Sequence, residues 1–395
     1  MAVHGAGGHY SEHAHLTPIF ATSTFTFDTA EQGMARFSGS EPGFTYSRFG
    51  NPTVAAAEEM VAALESAGIN DASGRPLQVK ALLHASGQSA MVTMFLSNLR
   101  AGDKVLASRS LYGGTYEFLD QLMPSLGIGA VFNDMQDLNV LDHLLKQEPS
   151  VKMLHFETPA NPTMNCIDIE GVCAVAKKHG RLVTVDNTLA TPYLQQPFRY
   201  GVDFIFHSTT KFLNGHGSAI GGVLLGRDVE FMRTQAYRTY KLLGGCSSPF
   251  DAFLLTQGIK TLPMRMETHS ANAMRVGRFL SEHPAVAQVH YNGLPQHSGY
   301  ALSKKQMHLP GAVMSMELRD GFDQAKKFIN KLKLCTRAVS LGTTDTLISH
   351  PASMSHAGMS AEQRRASGIS DGLIRMSIGL EDINDLLADL DQALR

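Results

Sequence analysis

From about Leu77 to residue 250, short apolar runs end in small or polar residues and lead into amphipathic stretches. VKALLHASGQSAMVTMFLSNL predicts a strand, a tight turn and a helix, and GDKVLASRSLYGGTYEFLDQLM repeats the scheme. VKMLHFETPANPT, RLVTVDNTLATP and VDFIFHSTTKF add three strands with polar C-terminal ends. Between the first two of these lies IEGVCAVAKKHG, a helix closed by Lys, His and Gly. Such alternation implies an α/β fold whose mostly parallel central sheet is covered by helices on both faces. Ligands of such sheets bind outside the carboxyl ends of the strands, so these polar tails are expected to converge.

The flanks have a different texture. In the first sixty residues, LTPIFATSTFTF and the turn-rich EPGFTYSRFGNPT read as an arm or extended segment. Beyond residue 250, one long helical stretch (PFDAFLLTQGIKTLPMRMETHSANAMRVGRFLSEH) precedes strand-like VAQVHY and AVMSMEL. A helix from Gln324 to Leu332 and a final helix, DINDLLADLDQAL, complete a smaller α+β C-terminal domain. The expected division is an arm over 1–60, a large domain over 61–250 and a C-terminal domain over 251–395.

Composition narrows the partners. Lys+Arg 34 against Asp+Glu 36 leaves a net charge of −2, with no basic surplus for nucleic acid or anionic lipid. With 43% hydrophobic and 18% charged residues, the chain has the composition of a folded protein rather than a disordered one. Its 395 residues exceed what one core usually fills. Cys166, Cys173, Cys246 and Cys335 lack the short spacing of a metal or redox pair, and the His residues form no HExxH, so no metal is expected. The N-terminus shows no secretory pattern and no apolar run reaches membrane-spanning length, which predicts a soluble, cytoplasmic protein with no nucleic-acid or membrane partner.

Four strand-end features fit one cofactor, and each has a plainer reading. Lys211 follows the apolar run VDFIF among Ser208, Thr209 and Thr210; an isolated lysine is usually a solvated charge, but this setting also suits a Schiff-base lysine. Asp186 ends LVTVD, where a carboxylate often merely caps a helix, yet pyridoxal phosphate needs an acid there to keep its ring nitrogen protonated. ASGQSA places Ser86, Gly87 and Gln88 at a helix N-terminus suited to a phosphate. Tyr112, after the next strand, is either a core tyrosine or a ring that stacks on a flat cofactor. Together, in this order, they point to pyridoxal phosphate. The competing dinucleotide reading lacks a GxGxxG after the first strand; GHGSAIGG has the glycines but follows the lysine.

At these residues the chain resembles the PLP-dependent enzymes of cysteine and methionine metabolism, which include cystathionine γ-synthase and γ-lyase, methionine γ-lyase and the O-acylhomoserine sulfhydrylases. FHSTTKFLNGHGSAIGG, VDNTLATPYLQQP, ETPANPT, YSRFGNPT and SLGTTDTLISHPASMSH carry the resemblance, which spans nearly the whole chain. It implies an aminotransferase-like fold (fold type I) and a homotetramer built from two dimers. It further implies that Lys211 binds the cofactor covalently and moves protons, that Asp186 pairs with the pyridinium, and that Gly87, Gln88, Ser208 and Thr210 hold the phosphate. Tyr112 would stack on the ring and act as general acid. Tyr46 and Arg48 would reach the phosphate of a neighbouring subunit, Asn161 would contact the cofactor, and Asn161, Ser340 and Arg375 would bind the substrate carboxylate. On the residues alone, an ion pair of Arg375 with Glu381 or Asp382 remains a competing assignment.

The resemblance implies an amino-acid substrate that reacts at Cγ, either exchanging its leaving group for a thiol or sulfide or eliminating it. Methionine γ-lyases typically carry Cys where Gly114 stands and Asp where Ser218 stands, and cystathionine lyases often carry Glu where Ser349 stands. ASGQ, LYGGTY, TPYLQQP and GHGSAIGG resemble the O-acetylhomoserine sulfhydrylases, whereas GAVMSMEL and HPASMSH are closer to the γ-lyases. The expectation is therefore γ-replacement on an O-acylhomoserine. The alternative is γ-elimination by a methionine or cystathionine γ-lyase, which gives 2-oxobutyrate, ammonia and a thiol.

Overall fold

The computed structural model describes residues 1–5, 13–354, 362, 364 and 368–395; His356, at the end of the HPASMSH motif, lies outside them. The large sheet contains β1 (Lys80–His84), β2 (Lys104–Ser108), β3 (Gly129–Asn133), β4 (Val151–Glu157), β5 (Leu182–Asp186), β6 (Phe204–His207) and β7 (Gly222–Gly226). Their spatial order is β1-β7-β6-β5-β4-β2-β3. β7 pairs antiparallel with both β1 and β6 while the other pairings are parallel, so six strands point one way and only β7 is reversed. All the polar strand ends noted in the sequence therefore lie along one edge.

Strand residues alternate between two cores, as a pleated sheet buried on both faces requires. Leu83, Leu154, Val185 and Val223 join the helices Pro52–Ser66, Ile169–Lys178 and Pro249–Lys260 on one side. Leu82, Met153, Phe206 and Leu224 join the helix Gly87–Asn98 on the other. A third core lies within the smaller sheet, formed by β8 (Val286–His290), β9 (Val313–Leu318), β10 (Thr336–Arg337), β11 (Leu347–Ser349) and β12 (Leu373–Ser377) in the order β10-β11-β12-β9-β8. The final helix, Ile383–Leu394, packs into it through Leu386, Leu390 and Leu394. Among the described residues, no helix is long and apolar enough to cross a membrane.

Several elements differ from the sequence reading. The long helical stretch is two helices, Pro249–Lys260 and Leu262–Glu282, divided at Thr261 with Pro263 in the first turn of the second. Proline is tolerated there because a first-turn amide has no intrahelical acceptor. The helix expected from Gln324 begins at Gly321 and ends at Lys331. β3 and β7 lie where the sequence reading placed no strand. Nor is the N-terminal stretch extended throughout: Ala30–Ser38 and Pro52–Ser66 are helices, and the second buries Val54, Ala57, Met60 and Val61.

Gly222 sets how closely β7 approaches the turn before Gly87–Asn98. A Cβ on it would lie 2.2 Å from the Ser86 carbonyl oxygen and 2.6 Å from the Gly87 nitrogen, both backbone atoms. Gly222→Ala must therefore push that turn away from the sheet. We expect it to cost about 1–3 kcal/mol in thermal or denaturant unfolding and to weaken retention of any ligand held at the Gly87 amide; an unchanged melting temperature would refute this.

Candidate active site

The Lys211 side chain is held at the edge of the large sheet by the turn between β6 and β7. Within that turn, Thr210 Oγ1 accepts from the Gly221 amide at 3.0 Å, and the Lys211 amide donates to the Ser208 carbonyl at 3.2 Å. Lys211 Nζ donates to Ser340 Oγ at 3.0 Å, which brings the small-sheet side of the molecule to the lysine. Arg375, on β12, donates from Nη2 to the carbonyls of Val339 and Ser340 at 3.0 and 2.7 Å. Its side chain is buried and makes no ion pair with Glu381 or Asp382; Glu381 instead accepts from Thr346. The ion-pair assignment fails because the guanidinium points at the Ser340 turn.

From Arg375 the contacts continue around the site. Its register partner on β9, Ser315, donates to the Pro162 carbonyl at 2.7 Å, fixing the residue after Asn161. The Asn161 amide donates to Glu157 Oε1 at 2.9 Å, and the Tyr112 amide donates to Glu157 Oε2 at 3.0 Å. Glu157 ends β4, and its register partner on β5 is Asp186. Gln88 Nε2 donates to the Gly114 carbonyl at 2.8 Å, two residues past Tyr112. A Cβ on Gly87 would lie 2.8 Å from Ser208 Cβ, so the helix start and the lysine turn are in contact. The circuit joins ten of the twelve residues to which the family resemblance gives roles. Tyr46 and Arg48 lie outside it: Tyr46 is 41% exposed, while Arg48 donates to the Lys241 carbonyl at 2.7 Å and sits over the Phe49 ring.

The groups suit pyridoxal phosphate. The Gly87 and Gln88 amides belong to the first turn of a helix, where no intrahelical acceptor exists, so with the Ser208 and Thr210 hydroxyls they could hold a phosphate. Arg375 Nε and Asn161 Oδ1 are buried without a hydrogen-bond partner among the described residues, which is costly unless a ligand satisfies them. Tyr112 is 57% exposed, leaving its ring free to cover a flat group. Among the described residues, no cluster of three or more His, Cys, Asp or Glu could hold a metal ion.

Burial, and then the charge of Arg375, lower the affinity of Lys211 for its proton, which makes a neutral nucleophilic amine easier to reach. Burial also lowers the Arg375 pKa, to about 10, which still leaves it charged at neutral pH. Burial raises Asp186, opposed by the hydrogen bonds of Thr188 and the neighbouring His207, and raises Glu157, where the Asp186 charge adds to it. Glu157 stands within ETPANPT, where the sequence alone assigns it no role. A carboxylate ending a strand next to the one that ends in Asp186 was the available clue, though it required knowing that β4 and β5 are neighbours. Removing one cation beside Lys211 has a definite sign: in Arg375→Leu the Lys211 pKa should rise, moving the pH midpoint of its reaction with an aldehyde such as pyridoxal phosphate upward. A midpoint that stays put or falls would disprove the coupling.

Comparison with known proteins identifies the family. Residues 1–395 match the family described as Cys/Met metabolism PLP-dependent enzyme. The chain is 43% identical over 394 residues to the L-methionine gamma-lyase of Porphyromonas gingivalis, covering 100% of this chain and 96% of that one. It is 37% identical to the O-succinylhomoserine sulfhydrylase of Pseudomonas aeruginosa, covering 100% and 94%. In structure it resembles the cystathionine gamma synthase of Xanthomonas oryzae pv. oryzae, with a TM-score of 0.91, 36% identity and coverage of 100% and 96%. With the lysine turn, the paired strand-end acids and the open helix start on one sheet edge, and with a family match along its full length, this chain belongs to the Cys/Met metabolism PLP-dependent enzymes.

Proposed function

We propose that the enzyme catalyses γ-elimination on methionine or a closely related thioether amino acid, consuming one water and releasing a thiol, 2-oxobutyrate and ammonia. The full-length similarity to methionine γ-lyases carries this reading, and it reverses the order reached from sequence, which placed γ-replacement first. The departures at Gly114 and Ser218 weighed single positions against methionine; the relatives weigh the whole chain.

The bound cofactor supplies an aldehyde for the substrate amine and a ring that accepts the electrons of the broken Cα–H bond. Arg375, through Nε and its fork, and the Asn161 side chain hold the substrate carboxylate, a group that matches a planar guanidinium. Ser340 Oγ, 3.0 Å from Lys211 Nζ, steadies the amine that removes the Cα proton and then a Cβ proton, whose C–H electrons form the Cβ–Cγ double bond as the Cγ–S bond breaks. Tyr112 Oη gives a proton to the departing sulfur. Tyr46 and Arg48, which are not joined to the site within their own chain, complete the phosphate site of a second subunit, so the working unit is at least a dimer, and two such dimers form the cytoplasmic homotetramer that the family resemblance implies.

A second reading, γ-replacement on an O-acylhomoserine by sulfide or a small thiol, is favoured by Gly114. A Cβ there would lie 2.8 Å from Tyr112 Cε1, so the Cys expected of methionine γ-lyases does not fit this arrangement without moving the ring. Purified enzyme given methionine alone should release methanethiol and 2-oxobutyrate. Homocysteine formed from O-acetyl- or O-succinylhomoserine with sulfide, with no product from methionine, would overturn the proposal. Lys211→Ala should lower turnover on the order of 10³-fold or more with the fold retained, and normal turnover in that variant would remove the lysine from the mechanism.

A further inference from the structure

The mechanism above gives no task to Glu157, although its carboxyl group is the most connected acid at the sheet edge. The side chain is 2% exposed, and its two oxygens each accept one main-chain amide, Tyr112 at 3.0 Å and Asn161 at 2.9 Å. Those amides belong to two separate loops, one following β2 and one following β4. Placing an acid beside buried Asp186 is unfavourable, and a neutral residue at that position would avoid the repulsion. Glutamine, the neutral residue of equal length, has only one acceptor oxygen, and its amide N–H groups would oppose a main-chain N–H. Two-fold acceptance at that reach therefore requires a carboxyl group.

We propose that Glu157 is a positioning residue, one carboxyl group holding the main chain of Tyr112 and of Asn161 so that the ring over the cofactor and the amide at the substrate carboxylate keep a fixed separation. It acts through these two residues and touches neither cofactor nor substrate. Burial and the Asp186 charge raise its proton affinity, and the two amides it accepts favour the carboxylate against them. The proposal rests on the roles given above to Tyr112 and Asn161. It does not depend on which sulfur substrate is turned over.

The test uses Glu157→Gln holoenzyme, with its folded state checked by circular dichroism and Glu157→Asp substituted if the Gln variant fails to fold. Affinity for pyridoxal phosphate is read by equilibrium dialysis, and affinity for glycine, which binds through its amine and carboxylate but has no γ-substituent, by the absorbance change. Losing one anchored amide should weaken both by about five- to tenfold. In an Asn161→Ala background the same change should weaken glycine binding less than twofold, because Glu157 acts on the glycine carboxylate through the Asn161 side chain. A folded variant that binds both ligands as wild type does, or whose effect on glycine adds in full to Asn161→Ala, would reduce Glu157 to a loop staple and overturn the proposal. Wild-type enzyme that binds glycine but leaves methionine unchanged would count against the substrate assignment alone.

Discussion

The parallel register of β4, β5 and β6 is the constraint on which the rest of the site depends. It brings Glu157 and Asp186 to the same level on neighbouring strands and places the lysine turn one strand further along. Because six of seven strands run the same way, their ends share one edge, and every loop leaving that edge can contribute to the same site. The single reversed strand, β7, serves this arrangement as well. It returns from the lysine turn and packs so closely on the Ser86–Gly87 backbone that only glycine fits at its start. The lysine turn and the phosphate-type helix start are thereby fixed to each other through main-chain contacts rather than flexible side chains.

Charge at this edge is managed by burial more than by neutralising pairs. Lys211 and Arg375 lie close enough for the arginine to disfavour the lysine's proton, and neither forms an ion pair among the described residues. Two buried carboxyl groups adjoin on the other side, where hydrogen bonds from Thr188 favour the ionised form of Asp186. Such unpaired charge costs stability, and its persistence beside orphaned atoms of Asn161 and Arg375 is the expected mark of a site built for charged ligands. The small sheet contributes by contact: Ser340 and Ser315 tie β12 and β9 to the lysine and to the Asn161 loop.

Much of this was legible in the chain because the chemistry sits at strand ends, where hydrophobic periodicity stops and a polar residue follows. Lys211 after VDFIF and Asp186 after LVTV could be placed on one edge from the alternation of strands and helices alone. β3 escaped notice because GAVFN is an edge strand whose residues are only half-buried, so it lacks a strong apolar pattern. β7 was obscured by the glycines that precede it. The assignment of Arg375 could not be decided from its acidic neighbours at 381 and 382, since strand direction turns the guanidinium toward the Ser340 carbonyl instead.

The sequence by itself determined the α/β alternation, the cofactor and the family, because each is written in residue type and local period. Only the tertiary structure decided which strands are neighbours. That pairing is non-local, made by hydrogen bonds between segments tens of residues apart, and a single chain pattern is compatible with several orders. Once β4 lies beside β5, Glu157 becomes the partner of Asp186 and the anchor of two loops, a role that its position in ETPANPT does not disclose.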